Sequence, residues 1–179
     1  MKRLPIAALL IFVAFGFGQT SMKVAEVSHD FIISYVAPVP VTISILPAEA
    51  EIHCLARNLY FEASVEGFDG RVAAGHVVKN RMADKHYPNT ACKVVHQGGD
   101  KRRYRCQFSW WCDGKSDKIT NKRMYNIMVV LSTGILDGTI KDPTNGSLMY
   151  HADYVNPYWK TAYKREVKIE THIFYKRKG

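Results

Sequence analysis

Apolar residues keep helical spacing in three stretches between Ala48 and Gly134 of this 179-residue chain, and strand spacing takes over after the turn signal Asp142-Pro143-Thr144-Asn145-Gly146. Periodicity is the strongest local statement a sequence makes about its backbone, so this order limits the chain to helices followed by a small sheet. Ile52, Leu55 and Leu59 fall on one face of a first helix, with Glu62 at the edge of that stripe. A second helix is predicted from Arg71 to Ala83, where Ala73, Ala74 and Gly75 allow close packing, after a turn over Val65–Gly70. The third is the clearest: Met124, Ile127, Met128 and Leu131 keep one face, Asp117 is placed to cap it and Gly134 to stop it. Residues 86–105 read as loop. Two strands are expected, Ser147–His151 and a longer one over Arg165–Tyr175, where Val167, Ile169, Thr171 and Ile173 alternate with Lys168, Glu170 and His172. The fold class is α+β, without repeats or low-complexity tracts.

The length suits one domain with a good-sized core. Residues 1–50 carry three basic and three acidic side chains, so the net charge of +9 belongs to residues 51–179. Such a domain favours polyanionic surroundings: nucleic acid, anionic lipid or an anionic cell envelope. No recognition helix and no strands with interleaved aromatics appear, which argues against nucleic acid.

The N-terminus narrows the compartment. Met1-Lys2-Arg3, an apolar run from Leu4 to Phe17 and the small-residue pattern Gly16-Phe17-Gly18 describe an export signal over residues 1–18, cleaved or kept as a transient membrane tether through residues 4–17. Residues 19–50 are a connector, with Pro38, Pro40 and Pro47 excluding a regular helix between Phe31 and Leu46. Cys54, Cys92, Cys106 and Cys112 suit an oxidising destination and two disulfides, with three pairings open. No CxxC pair or His cluster supports a metal site, and neither a metal nor a cofactor is expected.

Six unusual strings occur in order: LARNLYFEA (55–63), VVKNR (77–81), YPNTAC (87–92), CQFSWWCDG (106–114), YHADYVNPYW (150–159) and HIFYK (172–176). Together they resemble the cell wall hydrolase family named after the spore cortex-lytic enzyme SleB, across essentially all of residues 51–179. The resemblance implies a small α+β domain like lysozyme and the lytic transglycosylases. It also implies a peptidoglycan-cleaving enzyme that cuts between N-acetylmuramic acid and N-acetylglucosamine. The family's essential acid lies in a Y-x-E-A motif, here Tyr60-Phe61-Glu62-Ala63, so the role is carried to Glu62. Where many relatives have Arg-Gly-Glu, this chain has Ser64-Val65-Glu66.

The residues give the same chemistry a reason. A carboxyl at the edge of an apolar stripe is partly desolvated and keeps its proton to higher pH, as a general acid requires. Hydrolytic glycosidases usually need a second carboxylate, and Glu66, Asp69, Asp113 and Asp153 are available without a distinguishing spacing. A lytic transglycosylase needs one, because the muramyl 6-hydroxyl is the nucleophile; Glu62 alone suits that route. Gln107, Phe108, Ser109, Trp110 and Trp111 read as a glycan-contacting wall, Tyr150 and His151 as a polar pair near the acid, and Tyr60 as a supporting residue. Asn80 and Arg81 read as structural, tying the second helix to a loop. The expected partner is the peptidoglycan glycan strand, met by a monomer in the periplasm or cell wall, as a phage endolysin or a bacterial wall hydrolase. The alternatives are a two-carboxylate hydrolase and a binding-only relative that has lost catalysis.

Overall fold

Helices do precede strands. A computed structural model describes residues 47–98 and 105–179, and all statements below concern these. The export signal, most of the connector and residues 99–104 of the predicted loop lie outside the described residues. The elements in chain order are α1 (Glu49–Ala63), α2 (Phe68–Ala83), α3 (Ala91–Val95), α4 (Lys122–Asp137), β1 (Met149–Ala152), β2 (Tyr163–Ile169) and β3 (His172–Arg177). Short 3₁₀ turns at Ser109–Trp111 and Tyr158–Ala162 complete the order. No described helix is long and apolar enough to cross a membrane.

α1 buries Leu55, Ala56, Leu59 and Ala63 completely, as its stripe predicts, while Ile52 stays half-buried. Each buried leucine contributes about 1.5–3 kcal/mol relative to exposure. Thirty-eight residues on, Cys92 forms a disulfide with Cys54, and the Glu51 carboxylate accepts the Cys92 backbone N–H at 3.0 Å, so α1 fixes the start of α3 twice. α3 is the piece that reading residues 86–105 as loop misses; Thr90 caps it by accepting from Lys93 N.

α2 is the central helix. Nine of its sixteen residues are buried, which requires both faces to be covered. Val72, Ala74 and Val78 meet the helical core with α1 and α4, whereas Ala73 and Val77 meet Phe174 of the sheet. A Cβ on Gly75 would stand 2.5 Å from Ile135 Cδ1 and 3.5 Å from Leu59 Cδ1, so the three long helices close on the missing side chain. α2 begins at Phe68, three residues before the predicted Arg71. Its cap comes from far along the chain: the Glu170 carboxylate accepts the backbone N–H of Gly67 (2.6 Å) and of Gly70 (3.1 Å).

α4 starts and ends later than predicted. Asn121, not Asp117, caps it by accepting from Met124 N at 2.9 Å. Gly134 lies within the helix, and Gly138, at φ +89°, ends it in the left-handed conformation that glycine adopts without strain.

The antiparallel sheet has the order β1-β3-β2, with Tyr150 opposite Phe174 and Val167 opposite Phe174 on the two sides of β3. The single strand predicted over Arg165–Tyr175 is instead a hairpin. Glu170, at φ +49°, turns the chain, and a bulge between Arg165 and Val167 shifts the alternation. Alternating residues look the same in a continuous strand and in a tight hairpin when the turn lacks Gly or Pro.

Candidate active site

Glu62 stands on the last turn of α1, after the buried positions Leu55 and Leu59, and lines a cleft of about 270 Å³. α2 contributes Arg81 to this cleft, and β1 contributes Met149 and Tyr150. A loop closed by the Cys106–Cys112 disulfide supplies Gln107, Phe108 and Ser109, and the 3₁₀ turn after β1 supplies Trp159. The two disulfides are thus Cys54–Cys92 and Cys106–Cys112, one of the three open pairings. The second holds one wall of the cleft.

Burial raises the proton affinity of Glu62 above the ordinary glutamate range. A hydrogen bond from the Tyr150 hydroxyl to Oε2 (3.5 Å) and the charge of Arg81 act in the opposite direction without cancelling it. Tyr150 is itself pushed far up by burial and by the neighbouring Glu62, so it stays a neutral donor. The cleft therefore holds a half-buried carboxyl that keeps its proton into less acidic solution, facing a phenol and a buried guanidinium.

Arg81 is only 3% exposed. Its Nε donates to Leu148 O at 2.8 Å, and its guanidinium lies 5.3 Å from the ring centres of both Tyr87 and Phe108. Two of its nitrogens, Nη1 and Nη2, reach the Gln107 side-chain oxygen at 3.2 Å with the amide turned oxygen-inward, the orientation that does not set donor against donor. Arg81 does anchor the start of β1, as a structural reading predicts, but it also lines the cleft. Asn80 keeps to the structural part: its Nδ2 donates to Asp142 Oδ2, Thr144 Oγ1 and Ser147 O.

Five of the sequence candidates meet in the cleft: Glu62, Gln107, Phe108, Ser109 and Tyr150. Four do not line it. Tyr60 borders a separate depression with Phe61, Ser64, Asn121 and Met124, where its hydroxyl bonds Thr120 Oγ1 and accepts from Asn121 N. Trp110 is core: 7% exposed, stacked on Phe61 at 4.7 Å, its Nε1 donating to Asn58 Oδ1. His151 stacks on Tyr175, with Nδ1 bonded to Ala152 O and Nε2 to the Tyr175 hydroxyl. It reaches the cleft through the edge of Trp159. Trp111 stacks on His96 at 3.8 Å rather than on the cleft wall. Trp159, Met149, Arg81 and the disulfide-bonded Cys106 are the cleft residues that sequence reasoning did not assign to it. Trp159 closes the string YHADYVNPYW, and that was its one available signal.

None of the four possible second carboxylates lines the cleft. Glu66 is buried, accepts from Thr171 Oγ1 at 2.7 Å and lies 3.7 Å from His172 Nδ1. Asp153 pairs with Lys168 at 2.7 Å, Asp113 accepts from Lys115 N, and Asp69 is exposed in the first turn of α2. A larger depression of about 720 Å³, between Phe68 and the outer face of α4, carries no group that exchanges a proton near neutral pH. No described group of three His, Cys, Asp or Glu could hold a metal ion.

With this geometry in view, the chain matches the cell wall hydrolase family over residues 65–175, a stretch that begins three residues after Glu62. The catalytic domain of the germination-specific lytic transglycosylase SleB from Bacillus anthracis is similar in structure, with a TM-score of 0.56 and 26% identity; the match covers 77% of this chain and 100% of that one. The catalytic domain of the Bacillus cereus SleB protein matches at a TM-score of 0.55 and 24% identity, over 78% of this chain and all of its own. No curated protein sequence matches the chain.

Proposed function

Since the chain belongs to the cell wall hydrolase family and is thereby a peptidoglycan-acting enzyme, we propose that it is a lytic transglycosylase. In this reading it cuts the glycan strand between N-acetylmuramic acid and N-acetylglucosamine, with Glu62 as acid and base. The observation that carries the reading is the cleft itself: among its described lining residues Glu62 is the one carboxylate, and burial raises its proton affinity. The similarity in fold to a protein described as a lytic transglycosylase supports it.

The chemistry then needs no second acid. Glu62 protonates the glycosidic oxygen as the bond from muramyl C1 to that oxygen breaks. The 6-hydroxyl oxygen of the same muramyl residue forms the new bond to C1, and its proton returns to Glu62. Tyr150 donates to Glu62 when the carboxylate is charged between the two transfers. Trp159 offers a ring face for the sugars, while Phe108, 4% exposed and packed beside the Arg81 guanidinium, backs the cleft wall from the core. An export signal over residues 1–18 brings such an enzyme to its polymer.

The test is the product from purified sacculi. A transglycosylase leaves 1,6-anhydromuramyl ends with no uptake of heavy oxygen from labelled water. A hydrolase leaves reducing ends heavier by one water, about 18 Da. Reducing ends as the primary product overturn the proposal and return the search to a second carboxylate.

A further inference from the structure

Gln107 is a cleft side chain whose hydrogen-bonding sense is set by a buried neighbour. Its amide has two faces, an acceptor oxygen and a donor NH2, and a free glutamine presents either. Here the choice is removed. Arg81 Nη1 and Nη2 converge on the oxygen at 3.2 Å, and Arg81 cannot swing away. It is 3% exposed, held by Leu148 O through Nε, contacts Met149 Sδ at 3.5 Å through Nη2, and is packed against the rings of Tyr87 and Phe108. The Gln107 backbone is equally fixed. Its N–H donates to Gln97 O at 2.9 Å, and the Cys106–Cys112 disulfide closes the loop around it. The side chain stays half-buried at the cleft wall, within the same 270 Å³ as Glu62.

We propose that Arg81 is a positioning residue that locks the Gln107 amide so that its NH2 faces the substrate, making Gln107 the residue that selects N-acetylated glycan by donating to an acetamido carbonyl oxygen. This rests on the peptidoglycan-cleaving reading of the cleft and names what that cleft recognises. An acetamido group offers a neutral acceptor to the NH2. A free amino sugar offers an ammonium instead, which finds a donor at Gln107 and the positive charge of Arg81 behind it. A site built to pair one polar group penalises the analogue that lacks it more than an apolar pocket penalises a size change.

The experiment compares two preparations of the same sacculi, one N-acetylated and one enzymatically N-deacetylated. The wild-type protein is expected to prefer the acetylated sacculi by about tenfold or more in kcat/KM, the discrimination of one well-formed hydrogen bond. Gln107→Glu is nearly isosteric at a half-buried position, so the fold survives, which circular dichroism checks. It pairs with Arg81, has no donor left and is expected to abolish the preference. Arg81→Lys keeps the charge but not the paired donors, and is expected to erode the preference with Gln107 intact. Co-sedimentation of the Glu62→Gln protein with both kinds of sacculi reads the same ratio without turnover. A wild type that cleaves neither preparation thus defeats the cleavage reading, while the binding ratio still tests selection. Folded Gln107→Glu and Gln107→Ala proteins that keep the wild-type preference overturn the proposal.

Discussion

Glu62 and Glu66 are four residues apart, on either side of the end of α1, and the protein treats them in opposite ways. Glu66 belongs to the junction where the α1–α2 turn meets the β2–β3 hairpin. Thr171 donates to it, His172 stands beside it, and Glu170 on the same hairpin caps α2 through Gly67 and Gly70. Burial pushes the Glu170 carboxyl up, but the hydrogen bonds from the Gly70 and Gly67 N–H groups outweigh it and hold Glu170 below its ordinary range. Glu62 receives one long hydrogen bond, from a phenol, and no ion pair within 4 Å among the described residues. Desolvation prevails there, and the carboxyl is pushed up. One junction uses carboxylates to hold elements together. The other leaves a carboxyl under-solvated, which is costly for folding and useful for proton transfer.

The largest expected effect divides the two. Glu62→Gln keeps the shape but has no proton to give, and is expected to lower sacculus cleavage by about a hundredfold or more, the usual contribution of a general acid. Its circular dichroism should match the parent. Glu66→Gln is expected to keep cleavage within about tenfold, because Glu66 does not line the cleft. Equal loss in both folded variants would break the distinction and make Glu66 a partner in the chemistry.

A smaller effect belongs to the hairpin. Glu170→Gln keeps an acceptor but loses the charge at the N-terminus of α2, and is expected to cost about 1 kcal/mol of stability at neutral pH. Activity should survive. The sign with pH follows from the lowered proton affinity: the contribution is present above the ordinary glutamate range and is lost as the solution is acidified through the folded-state value. Denaturant melts of parent and variant should therefore converge at low pH. A constant gap from neutral to strongly acid solution would mean that the Glu170 charge is not what caps α2.

The contrast between these carboxylates was only partly legible in the sequence. Leu55 and Leu59 announce the buried face of α1 by spacing alone, and the edge position of Glu62 follows from the same spacing. The change from helix to strand was legible for the same reason. What stayed hidden depends on partners distant in the chain. The α2 start at Phe68 is set by Glu170, about 100 residues away, and the late start of α4 by the choice of Asn121 over Asp117 as cap. Aromatics mislead in a related way: Trp110 and Trp111 are adjacent, yet one is core against Asn58 and the other stacks on His96. Arg81 read as structural because α2 looks like a packing helix; that its guanidinium also reaches the cleft depends on where the Cys106–Cys112 loop returns. Local rules find elements and faces, while caps and cleft walls are made by chain crossings.

The smallest effect tests the cost of an under-solvated acid. In the folded protein Glu62 binds its proton more tightly than in the open chain, because burial disfavours the carboxylate. Between the ordinary glutamate range and the raised folded value, the native state therefore holds more protons than the unfolded one. Stability falls as pH rises through that window. Glu62→Gln has no charge to bury, so the variant that loses activity should be slightly more stable than the parent at neutral pH. Below the ordinary glutamate range both states of the parent are protonated, and the two proteins should melt together. The pH dependence runs opposite to that of Glu170→Gln, whose deficit is greatest at neutral pH. Thermal melts of the three proteins from acid to neutral pH measure both trends at once. If Glu62→Gln is less stable than the parent at neutral pH, the Tyr150 and Arg81 interactions outweigh desolvation, and Glu62 is a structural carboxylate like its neighbour on the other side of the turn.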